Sequence, residues 1–331
     1  MTRAIPFHLS EPRYGKNYVE TGAWLRSGGR PALEEELTLG SPCYTVVLSD
    51  TDNDLDSVLY TLWITGLCNR KGRWKRHLPP IRLVHTGDWL NKWDPAPEVA
   101  DFFRTLQETA PRDCEVVLLN GNHEVEILRQ VDTGASSRLN TEQIDFIRRQ
   151  NIMLVVDNTL YLHGYPTFQL LRLLQQVQKE QEGLNAFNRK FRKAFYEGRY
   201  ALYRDAAGLE LLGDIRQVRD YYVQRCIDGE TRGDKIGRLL TQLHIDTVIH
   251  GHRPHMFTQI DDELASEVPG VRIIDNDNRV RRSRLGAAVV DCHGNVVFVN
   301  LREMYLAGGE KAFRKRMRRL LAQTVQPRLP S

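Results

Sequence analysis

The chain has no apolar stretch approaching the length of a membrane span and no signal-peptide apolar region near its start. A cytoplasmic protein without a membrane partner is the expectation. Cysteine is scarce: Cys43, Cys68, Cys114, Cys226 and Cys292 are odd in number, scattered, and form no Cys-x-x-Cys pair. A disulfide framework and a zinc ribbon are therefore not indicated, and a reducing compartment is expected. Charge of one sign is lacking too. The 46 Lys and Arg against 42 Asp and Glu leave +4 over 331 residues, too little for whole-protein attraction to nucleic acid or membrane. Such attraction would have to come from local basic segments, namely Arg279, Arg281, Arg282 and Arg284, or residues 311–319. What remains, 41% hydrophobic and 27% charged, is the make-up of a globular protein with a sizeable core.

Residues 1–40 are polar and punctuated by Pro and Gly, and read as an irregular arm. After it, apolar runs at 44–48, 81–84, 116–119, 153–156, 160–162 and 247–249 read as strands, and residues 55–67, 99–106 and 141–149 carry helical spacing. Such alternation implies a mainly parallel sheet covered on both faces. The later runs 271–274, 287–290 and 296–301 follow one another without long helices and read as an antiparallel meander completing a second sheet, with His293-Gly294-Asn295 as a turn. Residues 167–243 have helical apolar spacing, as in Phe168, Leu171, Leu174 and Phe187, Phe191, Phe195. They read equally as a helical cap selecting substrate or as a layer that only covers a sheet. The basic tail, 306–331, carries Phe313, Met317, Leu320 and Leu321 on one helical face, so it would dock on the protein or on a partner.

Acidic, amide and imidazole residues follow the apolar runs: Ser49-Asp50-Thr51-Asp52, Thr86-Gly87-Asp88, Gly121-Asn122-His123-Glu124, His163-Gly164 and His250-Gly251-His252. Ligands collect at the carboxyl ends of strands in open α/β sheets. Five such ends carrying metal-ligand side chains suggest one metal centre. Two divalent ions about 3.5–4 Å apart can clamp a phosphate and lower the pKa of a water between them. A carboxylate bridges naturally, amide and imidazole groups complete the shell without repelling the phosphate, and a free imidazole can protonate the leaving oxygen.

These blocks, in this order from Asp50 to His252, resemble the calcineurin-like metallophosphoesterase superfamily: Asp-x-His, Gly-Asp-x-x-Asp-Arg, Gly-Asn-His-Glu, His-Gly and Gly-His. In motif style the chain is similar to the phosphoprotein phosphatase and diadenosine tetraphosphate hydrolase branch. The resemblance implies a four-layer αββα sandwich of two mixed sheets with a helical cap insertion, spanning 41–305. It also implies a phosphatase that hydrolyses phosphate monoesters, including those of phosphoproteins, by direct attack of a metal-bridging hydroxide. Asp88 would bridge the metals, with Asp50 at the first site and Asn122, His163 and His252 at the second. His123 would be the general acid.

Two departures change that picture. Asp52 stands where the family has a histidine, and an oxygen-rich first site favours manganese or magnesium over zinc, with iron a further alternative. Asn91-Lys92 stands for Asp-Arg: Asn91 can orient His123 without stabilising its cation, and Lys92 keeps a charge near the phosphate without the guanidinium fork. Arg232 resembles a phosphate-clamping arginine, though an exposed loop arginine reads as well. His250 and His255 flank the last block, where either could fill the gap at the first metal, though supporting or ordinary surface histidines read better, and His85 reads as a core or sheet-face histidine. The alternatives are a dinucleoside polyphosphate hydrolase or nuclease on the same scaffold, with a nucleotide or nucleic acid as partner, or a degenerate member that binds metal without turnover. Asp50, Asp52 and Asp54 also resemble a haloacid-dehalogenase start or an EF-hand loop. The first leaves Asn122, His163 and His252 unexplained, and the second needs Gly at Leu55 and Glu at Thr61.

Overall fold

The computed structural model describes residues 44–179, 183–200, 223, 225–226, 228–252, 259–260, 268–277, 286–291 and 295–322. The expected arm at 1–40, the basic run from Arg279 to Arg284, His255 and most of the His293-Gly294-Asn295 turn lie outside the described residues.

In chain order the elements are β1 (Tyr44–Leu48), α1 (Leu55–Thr65), β2 (Ile81–His85), α2 (Pro97–Glu108), β3 (Cys114–Leu118), α3 (Asn122–Asp132), α4 (Thr141–Arg148), β4 (Met153–Val156) and β5 (Thr159–Leu162). They continue with α5 (Phe168–Lys179), α6 (Gly183–Tyr196), α7 (Arg232–Gln242), β6 (Thr247–His250), β7 (Gln259–Ile260), β8 (Arg272–Asp275), β9 (Gly286–Val290), β10 (Val296–Asn300), α8 (Leu301–Leu306) and α9 (Glu310–Ala322).

Two mixed sheets result. The first has strand order β10-β9-β1-β2-β3, with β1, β2 and β3 parallel and β9 antiparallel to both β1 and β10. The second has order β4-β5-β6-β8-β7, with β5, β6 and β8 parallel between antiparallel edges. Alternate residues explain why the strands read as unbroken apolar runs. Val47, Val84 and Val117 of the first sheet pack in one cluster with Leu154, Ile249 and Ile274 of the second, whereas Val46, Leu83, Val116, Leu160, Val248 and Ile273 join the core shared with the helices. Each sheet is thus apolar on both faces.

The strands near the carboxyl end depart from the expected arrangement. The runs near the carboxyl end do not form a meander in the second sheet: β8 enters it parallel to β6, while β9 and β10 extend the first sheet from the free side of β1. Period-two alternation says that a strand has two faces, not which partner it takes.

Helices close both outer faces. α1 starts where Asp54 accepts from the Ser57 N–H at 3.0 Å and stops at Gly66, which takes a left-handed φ of 92°. The described part of 167–243 buries its apolar stripe in the helix-side core, and Asn188 of α6 accepts from the Ile152 N–H and donates to the Met153 carbonyl of β4. Phe187, Phe191 and Phe195 are all buried, each contributing about 1.5–3 kcal/mol relative to exposure. On α9, Phe313, Met317 and Leu321 are buried and the helix packs on α1, so this basic segment docks on its own chain. No helix among the described residues is long and apolar enough to cross a membrane.

Candidate metal centre

The loops leaving β1, β2 and β3 in one sheet, and β5 and β6 in the other, meet at the carboxyl ends of those strands. Hydrogen bonds lock them together: the Asp50 N–H donates to the Gly87 carbonyl at 3.0 Å, the Asp52 N–H to Asp88 at 3.0 Å, and the Gly251 N–H to His163 at 2.9 Å. Four residues here are non-glycine yet left-handed, with φ of 49° at Asp50, 46° at Asp52, 55° at Asp88 and 68° at His252. Such conformations cost about 1–3 kcal/mol each and persist where surrounding structure over-determines them, commonly at functional sites. Close packing also dictates two glycines. A Cβ on Gly121 would collide with the Asp88 carboxylate, and one on Gly251 with Ser49 Oγ and Asp50 Oδ2.

Asp88, His163 and His252 each bring one donor atom within 4.8 Å of the other two. His163 Nε2 is the focus, lying 2.9 Å from Asn122 Oδ1, 3.2 Å from His252 Nδ1 and 3.3 Å from Asp88 Oδ1. Ligand atoms about 2.1 Å from one cation sit roughly 3 Å apart when at right angles, so these spacings suit a shared divalent ion. The remaining ring nitrogens, His163 Nδ1 and His252 Nε2, are buried without a hydrogen-bond partner among the described residues. Burial, reinforced by the neighbouring His163, pushes His252 down to about 3, so its ring is neutral and competent to ligate. Burial raises the Asp88 carboxyl, but His163 and His123 more than offset it and hold Asp88 below the usual carboxylate range.

Asp50 and Asp52 stand beside this group without joining it. Asp50 is buried, hydrogen-bonded by Ser49 Oγ and by the His252 N–H at 3.1 Å. Burial, then Asp277, then Asp88 hold its carboxyl well above the ordinary range. Buried carboxylates that repel one another in this way are what a cation relieves.

Asp52 faces elsewhere. Its Oδ1 accepts from Asn91 Nδ2 at 2.8 Å and lies 3.5 Å from His123 Nδ1. His123 donates its Nδ1–H to the Leu90 carbonyl at 3.0 Å, which leaves Nε2 directed at Asp88 Oδ2, 3.4 Å away. Burial lowers the affinity of this ring for a second proton, but Asp52, Asp88 and Glu124 outweigh it and raise His123 to about 9. Asn91 therefore orients Asp52 rather than His123 directly.

Glu124 closes its block, and the family resemblance assigns it no role. Fully buried, it accepts from the Asp88 and Leu90 N–H groups at 2.9 Å each and from Gly121 at 2.8 Å, tying the β2 loop to the start of α3. Burial and then Asp88 raise it to about 7. The signal was there: a glutamate three residues after the helix cap is the reciprocal position of a capping box. His85 accepts from the Gly87 N–H at Nδ1 and meets Thr51 Oγ1 at 3.0 Å, and burial lowers it to about 3. His250 donates to the Gly251 carbonyl at 2.8 Å, supporting the turn that carries His252. Lys92 reaches over the exposed Trp93 ring at 5.5 Å, and no hydrogen bond or ion pair joins it to the cluster among the described residues. Arg232 is the first residue of α7, directly after the Thr231 cap.

The profile of calcineurin-like phosphoesterases matches residues 46–256, the span from β1 to just past His252. The chain belongs to this family. It is thus a metallophosphoesterase, a hydrolase of phosphoric esters for which divalent metal ions are implied. Among solved structures, a cold-active protein-tyrosine phosphatase from a psychrophilic Shewanella is similar at 17% identity and TM-score 0.51, covering 80% of this phosphoesterase and 84% of that chain. A protein serine/threonine phosphatase from Saccharomyces cerevisiae is similar at 16% identity and TM-score 0.44, over 78% and 79% of the two chains. A metallophosphoesterase from Sphaerobacter thermophilus shares 12% identity at TM-score 0.38, over 84% and 99%. No curated protein matches the sequence.

Proposed function

We propose that this phosphoesterase hydrolyses phosphate monoesters using two divalent cations, with manganese the favoured metal. The observation that carries the reading is the convergence of Asp88, His163 and His252 donor atoms within 4.8 Å, with His123 Nε2 3.4 Å from the same aspartate. Asp88, Asn122, His163 and His252 would hold one cation, and Asp50 with Asp88, beside Asp52, the other. Bound there, the cations would offset phosphoryl charge and lower the pKa of an attacking water.

The protein's own residues do the rest. His123 carries its reactive proton on Nε2, because Nδ1 is committed to the Leu90 carbonyl, and delivers it to the leaving oxygen. Asp52, held by Asn91, steadies the imidazolium. The family's aspartate at position 91 is thereby replaced by a carboxylate from position 52, which favours turnover over a degenerate metal-binding role. Arg232 opens a helix that runs about 16 Å back to the start of β6, whose far end bears His252. From the start of that helix Arg232, together with Lys92, would supply positive charge to an incoming phosphate.

Hydrolysis of an aryl phosphate with Mn²⁺, abolished by chelator and by Asp88→Asn, supports the reading. A panel of phosphopeptides, dinucleoside polyphosphates and phosphodiesters then ranks substrates. Faster cleavage of diesters or polyphosphates than of every monoester overturns the monoester assignment, and no activity with any divalent ion overturns catalysis.

A further inference from the structure

Two basic segments far apart in sequence meet at the carboxyl-terminal end of α1. In residues 69–76, five of eight positions are Lys or Arg, and in 311–319, six of nine are. Arg70 and Arg314 both stack on the Trp63 ring, their guanidinium carbons 4.3 Å and 3.8 Å from its centroid, so the two cations lie no more than about 8 Å apart. Lys75 Nζ sits against Gly66, the cap of α1, within reach of Arg314 and Arg318. Two acids stand in this neighbourhood among the described residues: Glu310 accepts from the Tyr60 hydroxyl at 3.1 Å, and Glu303 pairs with Arg316 at 3.7 Å. Among the described residues, none of Arg70, Lys75, Arg314 and Arg318 has an ion pair.

A solvated basic face whose Lys75 balances the negative end of α1 would not account for this grouping. A helix terminus carries only about half a charge, far less than four cations need. Burial, then Arg314 and Arg318, lower the proton affinity of Lys75, so these groups repel one another. A guanidinium held over a ring still has its N–H donors to offer, and these are the groups that bind phosphate oxygens. The whole protein is only +4, so this region is basic against a net acidic remainder.

We propose that this face binds the sugar-phosphate backbone of nucleic acid, at a site separate from the metal cluster. α1 begins beside that cluster, and its 11 residues put the cationic face about 16 Å away along the helix. An extended polyanion suits two converging segments whose Arg70, Lys75, Arg314 and Arg318 stand close together, with further Lys and Arg on either side. A membrane suits them less: Trp63 lies beneath the two arginines and cannot insert. Tyr305 and Leu306, exposed on α8, make anionic vesicles the competing occupant in the test.

Binding of a labelled 20-nucleotide strand and its duplex to the full chain is measured by anisotropy in chelator, from 50 to 200 mM salt. The expected result is sequence-independent binding that weakens steeply with salt. Arg70→Gln and Arg314→Gln should each weaken it about tenfold and lower the salt slope by about one. Arg318→Gln, at an exposed position with no ion pair among the described residues, should weaken it while leaving the thermal midpoint unchanged. Asp88→Asn should bind as wild type. No binding at 50 mM salt, equal binding by all three patch variants, loss of binding in Asp88→Asn, or capture by anionic vesicles with none by oligonucleotide would each overturn the proposal.

Discussion

Replacing Asp52 with Asn tests the pairing around His123 directly. The substitution keeps size and polarity but removes a charge 3.5 Å from Nδ1. At that separation a unit pair interacts by about 1 kcal/mol in water and about 5 kcal/mol at an effective dielectric of 20. The Asp52 side chain is 31% exposed, which places the interaction nearer the watery limit, about 1.5–3 kcal/mol, or roughly 1–2 pK units. Asp88 and Glu124 remain, so His123 in the metal-free protein should fall from about 9 to between about 7 and 8, read by NMR of its ring nitrogens. Stability should follow. A histidine raised in the folded state stabilises fully below its unfolded pKa of about 6.5 and loses that contribution as pH rises through 9. Wild type should therefore exceed Asp52→Asn by about 1.5–3 kcal/mol in urea unfolding at pH 6, with the gap closed at pH 10. An unchanged midpoint, or a gap that persists at pH 10, refutes the pairing.

His123→Ala should lower turnover by about 10²–10⁴ with metal content retained, checked by steady-state kinetics beside elemental analysis; loss of metal in parallel would make it a ligand. Glu124→Gln presents one acceptor oxygen to three N–H groups and should cost about 1–3 kcal/mol in denaturant unfolding, together with weaker cation binding by calorimetry. Gly121→Ala has an unstrained φ of −91°, so any loss comes from collision with Asp88: about 1–3 kcal/mol and a displaced ligand.

The ligand blocks were legible because each follows an apolar run, and parallel strands deliver their following residues to one edge. Nine of the strands were legible for the same reason, with ends shifted by one or two residues, as at Cys114 and Arg272, whereas the two-residue edge strand Gln259–Ile260 is too short to show as an apolar run. What escaped depended on distance in sequence. Nothing in the spacing of Asp50-Thr51-Asp52 says that the second carboxylate turns toward Asn91 and His123, 39 and 71 positions away. The sheet membership of β9 and β10 was hidden because their alternation fits either sheet. The phenylalanine stripe of α6 read as cap or cover with equal force, and in the described residues it is core. Arg70 and Arg314 shared no local pattern at all; Trp63 brings them together.

Asp50, Asp88 and Asn122 hang from one sheet, His163 and His252 from the other, and mostly Val, Ile, Leu and Ala fill the seam between. A cation gripped by both sets would act as a rivet through that seam. Heat resistance should then climb with the logarithm of metal concentration, because opening the sandwich means letting the ion go. Fold and reagent would be inseparable: whatever loosens the rivet unseats the halves it joins.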